Sequence, residues 1–203
     1  MTKQTTHPNH NFYSTGIHWA GIVLCCILGF VFSQTTAAKP EVDPALRETL
    51  KATISQADSF EDRFDAEVWL VQKSGVLQRF IKDPEERLHI LKEIHKASTR
   101  AQLPPEYVLA VIHVESAFDQ FAISQVGAQG MMQIMPFWKK EIGRDNDNLM
   151  DIPTNLKYGC TILKYYLEVA KGDWREALAR YNGSYGKHKY PNKVIVAWQR
   201  YWK

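Results

Sequence analysis

The sequence predicts a mostly α protein. Two observations predict it. Apolar residues recur at three- and four-residue spacing along most of the chain, and several of these stretches open with a helix-capping pattern. A third is negative: no stretch reads as a strand. At 203 residues the chain suggests one domain, or one domain with an extension, and a core can form without disulfides at this size.

The chain begins with a polar stretch, residues 1–15, followed by the uncharged apolar run "GIHWAGIVLCCILGFVF" over 16–32 and then "SQTTAAKP". This order is that of a signal peptide with cleavage after Ala38, where Thr36 and Ala38 supply the small residues. The run lies at the short edge for a membrane-spanning helix, so retention as an anchor by residues 16–32 is an open alternative. Leu24 before Cys25, and Cys25 before Cys26, do not fit lipoprotein processing. Either way the remainder is expected to be exported, to the periplasm or cell envelope of a bacterium. Cys160 would be the one cysteine left in a mature chain. It shares a helical stripe with Leu156, Leu163 and Leu167, which predicts burial as a small apolar residue rather than a nucleophile. No Cys/His cluster has metal-ligand spacing.

The next elements all read as helices. "DPALRETLKATISQA" over 43–57 is opened by Asp43 and Pro44. In residues 60–81, Phe60, Phe64, Val68 and Val71 keep a helical rhythm, with a break expected at Gly75. Over 83–98, Asp83 is the cap, Pro84 takes the first helical position, and Glu86 follows three after the cap. Leu88, Leu91 and His95 continue its face. A further helix starts at Pro105, a glycine-bearing loop covers 119–130, and a short helix is expected from about Met131 to Ile142. A long helix over 154–171 ends at Gly172. Asp173 and Glu176 open the next one, a loop covers 182–192, and Pro191 opens the last helix, with Val194, Ile195, Trp198 and Tyr201. Residues 39–95 are read as a helical extension packed on a core of 96–203.

The net charge of +3 is too mild for a typical nucleic-acid binder. The last seventeen residues nevertheless carry Lys187, Lys189, Lys193, Arg200 and Lys203 without an acid. A solvated helix face is the simpler reading, and approach to an anionic polymer is the other. Six Trp and nine Tyr suit either sugar platforms or a dense core.

One carboxylate lies on the wrong face. On the helix from Pro105, Glu115 falls three residues after Ile112, four after Val111 and seven after Val108, so it points where the apolar stripe points. Burial raises a carboxyl pKa, the state a general acid needs. A Glu–Arg pair, or a stripe that ends at the surface, would explain the position without function. Downstream, Gly127 and Gly130 allow close backbone approach, and Gln133 can donate and accept. Met131, Met132 and Met135 suit either core or groove floor. Tyr181 and Asn182 could partner a carboxyl or an N-acetyl group, and Asn182 with Gly183 equally suits a helix C-cap.

Taken in order, Glu115-Ser116, then "GAQGMMQIMP" from Gly127 to Pro136, then "ARYNGS" from Ala179 to Ser184, resemble the soluble lytic transglycosylase domain family. The resemblance covers roughly residues 96–203. Met131 stands where that family commonly has Leu, and Arg180 precedes the Tyr-Asn pair. The resemblance implies a lysozyme-like helical fold and cleavage of bacterial peptidoglycan between N-acetylmuramic acid and N-acetylglucosamine. It implies that Glu115 is the catalytic acid and then base, and that Ser116 holds its neighbourhood by a hydroxyl hydrogen bond. Gly130 and Gln133 would shape the cleft and contact the sugar, and Met132 would pack beneath it. Tyr181 would bond Glu115 or the acetamido group, and Asn182 would support the loop. No metal or organic cofactor is required, and the partners are glycan strands, with envelope-complex partners open.

Glycosidases usually employ two carboxylates, and these motifs supply one. Asp119, one turn on, is expected in solvent. A single carboxyl favours protonation of the glycosidic oxygen followed by closure of a 1,6-anhydro ring by the muramoyl 6-hydroxyl. A muramidase hydrolase of the same fold and a non-catalytic glycan-binding envelope protein are the rivals.

Overall fold

The computed structural model of the protein describes residues 63–203. The signal or anchor segment, the helix expected over 43–57, and Phe60 all lie outside the described residues. Within them the chain is helical, as predicted, and forms only isolated bridges of Gln129 with Ile123 and Ile134.

Helix α1 spans Arg63–Leu77 and runs through Gly75 without the expected break. The residues that keep its rhythm are not the ones it buries. Phe64, Val68 and Val71 are 78%, 68% and 44% exposed, whereas Ala66, Leu70 and Leu77 are at most 1% exposed. The helix carries apolar residues on two sides, and the Ala66–Leu70–Leu77 side meets the core. Lys73 lies on this inner side, 3% exposed, and donates its Nζ to the carbonyl of Trp202 at 2.7 Å. A buried ammonium requires such an acceptor.

Helix α2, Pro84–Arg100, begins as predicted: Asp83 caps it by accepting from the Glu85 amide, with Pro84 at the first position. The boundary drawn between 95 and 96 falls inside this helix. Leu88, Ile90, Leu91 and Ile94, all from the supposed extension, are buried in one cluster with Leu109, Ile112 and Leu163. Two layers of a single core therefore meet here.

Helix α3 spans Pro105–Glu115, with Val108 to Ile112 fully buried. It packs on α7 and the terminal turn. The short α4 covers only Trp138–Ile142. The helix expected from Met131 is instead a chain of turns, because Gly130 and Gln133 take φ of 72° and 51°, outside the helical region. Helix α5, Ile152–Val169, is capped by Asp151 and packs on α2 and α6. It ends where Lys171 and Gly172 turn left-handed. Helix α6, Trp174–Tyr181, is capped by Asp173, which accepts from the Arg175 and Glu176 amides. The Glu176 carboxylate pairs with Arg180. Helix α7, Lys189–Ala197, leads into a π-helical turn, Trp198–Trp202.

Most of the described aromatic residues build the core. Tyr107 stacks on Trp174 at 3.9 Å and on Trp198 at 4.7 Å, and His113 meets Phe80, Tyr201 and Trp202. Cys160 is 1% exposed and its thiol is pushed up to about 12 by burial, which leaves it inert.

Candidate active site

The apolar rhythm of α3 delivers Glu115 to the last position of the helix, and the backbone then turns away abruptly. Ala117 and Phe118 both adopt left-handed φ, 51° and 68°, which L-residues with side chains adopt at a cost. Phe118 is held there by burial against Phe80 and Trp202. This turn leaves the Glu115 carboxyl at the junction of helix, loop and cleft.

Glu115 lines a cleft of about 230 Å³ together with Gln133, Met135, Trp138, Tyr181 and Asn182. No other carboxylate lines it. Burial pushes the Glu115 carboxyl up to about 7, while a hydrogen bond from Tyr190 pulls the other way. No cation pairs with Glu115 among the described residues. The reading of a buried Glu–Arg pair is therefore excluded by the geometry. Asp119 is exposed and accepts from the Phe121 amide at 2.8 Å, so it stands in solvent as expected.

The phenol that holds Glu115 is not the expected one. Tyr190 donates its hydroxyl to Glu115 Oε1 at 2.6 Å. Tyr181 donates instead to the Met132 carbonyl at 2.8 Å, fixing the cleft floor. Both phenols are held well above their usual range by burial first and by the Glu115 charge second, so both remain donors. Tyr190 carried one signal in the sequence: it lies four before Val194 and seven before Ala197, on a face that is buried. Nothing local names a partner 75 positions away.

The remaining candidates divide between cleft wall and foundation. Gln133 faces the cleft, and its Nε2 donates to the carbonyls of Ala122 and Gly130. Ser116 lies below, donating its hydroxyl to the Met131 carbonyl at 2.8 Å. Met131 and Met132 are 1% and 0% exposed and belong to the core, while Met135 reaches the cleft. Gly130 is buried, so the expected sugar contact is not available to it. A Cβ there would sit 2.4 Å from Asn155 Nδ2 and 2.5 Å from the Leu149 carbonyl. Asn182 caps α6, Gly183 beside it has φ of 67°, and Asn182 also lines the cleft.

Asn155 went unnoticed in the sequence. It is 1% exposed, accepts from the Met132 amide at 2.8 Å, and donates to the carbonyls of Gln129 and Leu149 at 2.9 and 2.8 Å. One side chain of α5 thereby ties both flanks of the Gly130 turn.

Comparison with known proteins gives a consistent result. The sequence model of the transglycosylase SLT domain matches residues 92–194. A transglycosylase of Enterobacteria phage PRD1 is 33% identical over 109 residues, covering 50% of this chain and 40% of the phage protein. The chain thus spans well under half of that relative's length. Among solved structures, an inactive mutant of lytic transglycosylase Slt from Pseudomonas aeruginosa is 19% identical. It covers 79% of this chain and 35% of its own, with a TM-score of 0.45. The 70 kDa soluble lytic transglycosylase of Escherichia coli is also 19% identical, covering 79% of this chain and 33% of its own, at 0.43.

Proposed function

The chain belongs to the transglycosylase SLT domain family, and from that premise we propose that it is a peptidoglycan lytic transglycosylase. It cleaves the β-1,4 bond between N-acetylmuramic acid and N-acetylglucosamine and leaves a 1,6-anhydro-muramoyl end. The observation that carries this reading is a lone carboxyl, raised by burial so that much of it keeps its proton up to about pH 7, in a cleft lined by no second acid.

Glu115 donates its proton to the glycosidic oxygen as the bond to the muramoyl C1 breaks. The positive charge that develops at C1 is relieved by the substrate's own acetamido oxygen, since no second protein carboxylate lines the cleft to do so. Glu115, now an anion, is stabilised by the Tyr190 hydroxyl at 2.6 Å. It then removes the proton of the muramoyl 6-hydroxyl, whose oxygen closes on C1. That hydroxyl is tethered, so its effective concentration far exceeds that of an external nucleophile. Export to the cell envelope belongs to the same proposal, with support from the apolar run over 16–32.

The test is mass spectrometry of fragments released from purified sacculi. Muropeptide ends lighter by one water than hydrolytic products are expected, and Glu115→Gln should release none. Hydrolytic ends would make the protein a muramidase. Undiminished release by Glu115→Gln would remove Glu115 from the chemistry.

A further inference from the structure

The cleft does not stop at Glu115. Lys187, Lys189 and Lys193 surround a second hollow of about 360 Å³ whose wall also holds Glu115, Asn182 and Tyr190. Glu115 and Asn182 line both hollows, so the two are halves of one groove with the carboxyl at the junction. Their electrostatics differ. The first half contains no Lys or Arg, and the second contains three lysines and no acid besides Glu115.

These lysines are exposed, and none has an ion-pair partner among the described residues. By contrast Arg144, Lys164 and Arg180 are each paired with an acid a turn away. Three ammonium groups around one concavity repel one another, and a concave wall focuses their field on whatever enters. Burial and the Tyr190 hydrogen bond act on the Glu115 proton in opposite directions.

We propose that the Lys187, Lys189 and Lys193 half of the groove is a subsite for a carboxylate carried by the glycan strand. This inference rests on the reading that the groove cleaves peptidoglycan. A strand can offer the group in two places: on the peptide stem, or on the muramoyl lactyl group once the stem has been removed.

The experiment uses soluble strands with stems and amidase-stripped strands, each before and after conversion of carboxylates to neutral amides. With wild-type protein, amidation should lower kcat/KM roughly five- to tenfold, carried by KM and diminished by added salt. Sensitivity on stem-bearing strands assigns the stem carboxylate, and sensitivity confined to stripped strands assigns the lactyl carboxylate. The K187Q/K189Q/K193Q variant should show the same loss on the charged strands and no further loss on amidation. Equal wild-type kinetics on free and amidated strands of both kinds would overturn the subsite while leaving the cleavage reading intact. So would a variant whose deficit persists unchanged on amidated strands. Absence of any cutting by the wild type would remove the cleavage reading and this subsite together.

Discussion

At the scale of single residues, Glu115 trades stability for a usable proton. Its folded pKa, about 7, lies above the ordinary carboxyl value of 4.5, so the native state binds the proton more tightly than the unfolded chain. Folding stability attributable to this group is therefore full below about pH 4.5, declines as pH rises through about 7, and stays low above. At 1.36 kcal/mol per pH unit the loss is on the order of 3 kcal/mol. Glu115→Gln removes the charge and keeps an oxygen for the Tyr190 hydroxyl. We expect this variant to unfold several degrees higher than wild type at pH 8 and at an equal temperature at pH 4, read by thermal denaturation. An equal or lower midpoint at pH 8 would contradict the burial argument. The same ionisation removes the acid, so wild-type kcat/KM should fall as pH rises through about 7.

At the scale of elements, the cleft floor is a set of turns, and its shape depends on α5. Asn155 satisfies one amide and two carbonyls of that segment. Asn155→Leu would strand two buried polar groups, the Met132 amide and the Leu149 carbonyl, while the Gln129 carbonyl keeps the Ile134 amide. At about 1–3 kcal/mol each, stability should fall by at least ~2 kcal/mol in denaturant unfolding. Wild-type-like stability would show that the turns hold themselves. The sequence revealed the helices around this segment because caps act locally: Asp83 and Asp173 sit where they were expected. It did not reveal the turns. Met131, Met132 and Ile134 are apolar and closely spaced, which mimics a helix, and only the positive φ of Gly130 and Gln133 prevents one. Glu115 was legible because its position on the apolar stripe is a property of one helix. Tyr190 and Asn155 were not, since each acts on a distant segment through a side chain whose own neighbours say nothing of its target. The rhythm in α1 left its buried face undetermined for a related reason. Two apolar stripes competed, and the choice went to the side where buried Lys73 finds the Trp202 carbonyl.

At the scale of the whole molecule, the first described helices are part of the structure that carries the cleft. Trp69 Nε1 donates to Glu106 at the start of α3 at 2.7 Å, and Arg87 bonds Ser74 together with the carbonyls of Ile81 and Lys82. Lys73 reaches from α1 to the terminal turn, whose Trp202 donates in turn to His113 on α3, two residues before Glu115. A chain begun at residue 96 would split α2 and remove Leu70, Leu77, Leu88, Ile90, Leu91 and Ile94, all at most 1% exposed. Burying each such side chain contributes about 1.5–3 kcal/mol, and a typical domain's net stability is only about 5–15 kcal/mol. The 96–203 piece should therefore lack a cooperative thermal transition and release no fragments from sacculi, whereas the full chain should show both. A cooperative transition in that piece, measured by circular dichroism, would mean that α1 and α2 merely lean on a core able to stand without them. The chain of bonds from Lys73 through Trp202 to His113 would then be dispensable for holding α3, and with it the carboxyl, in place.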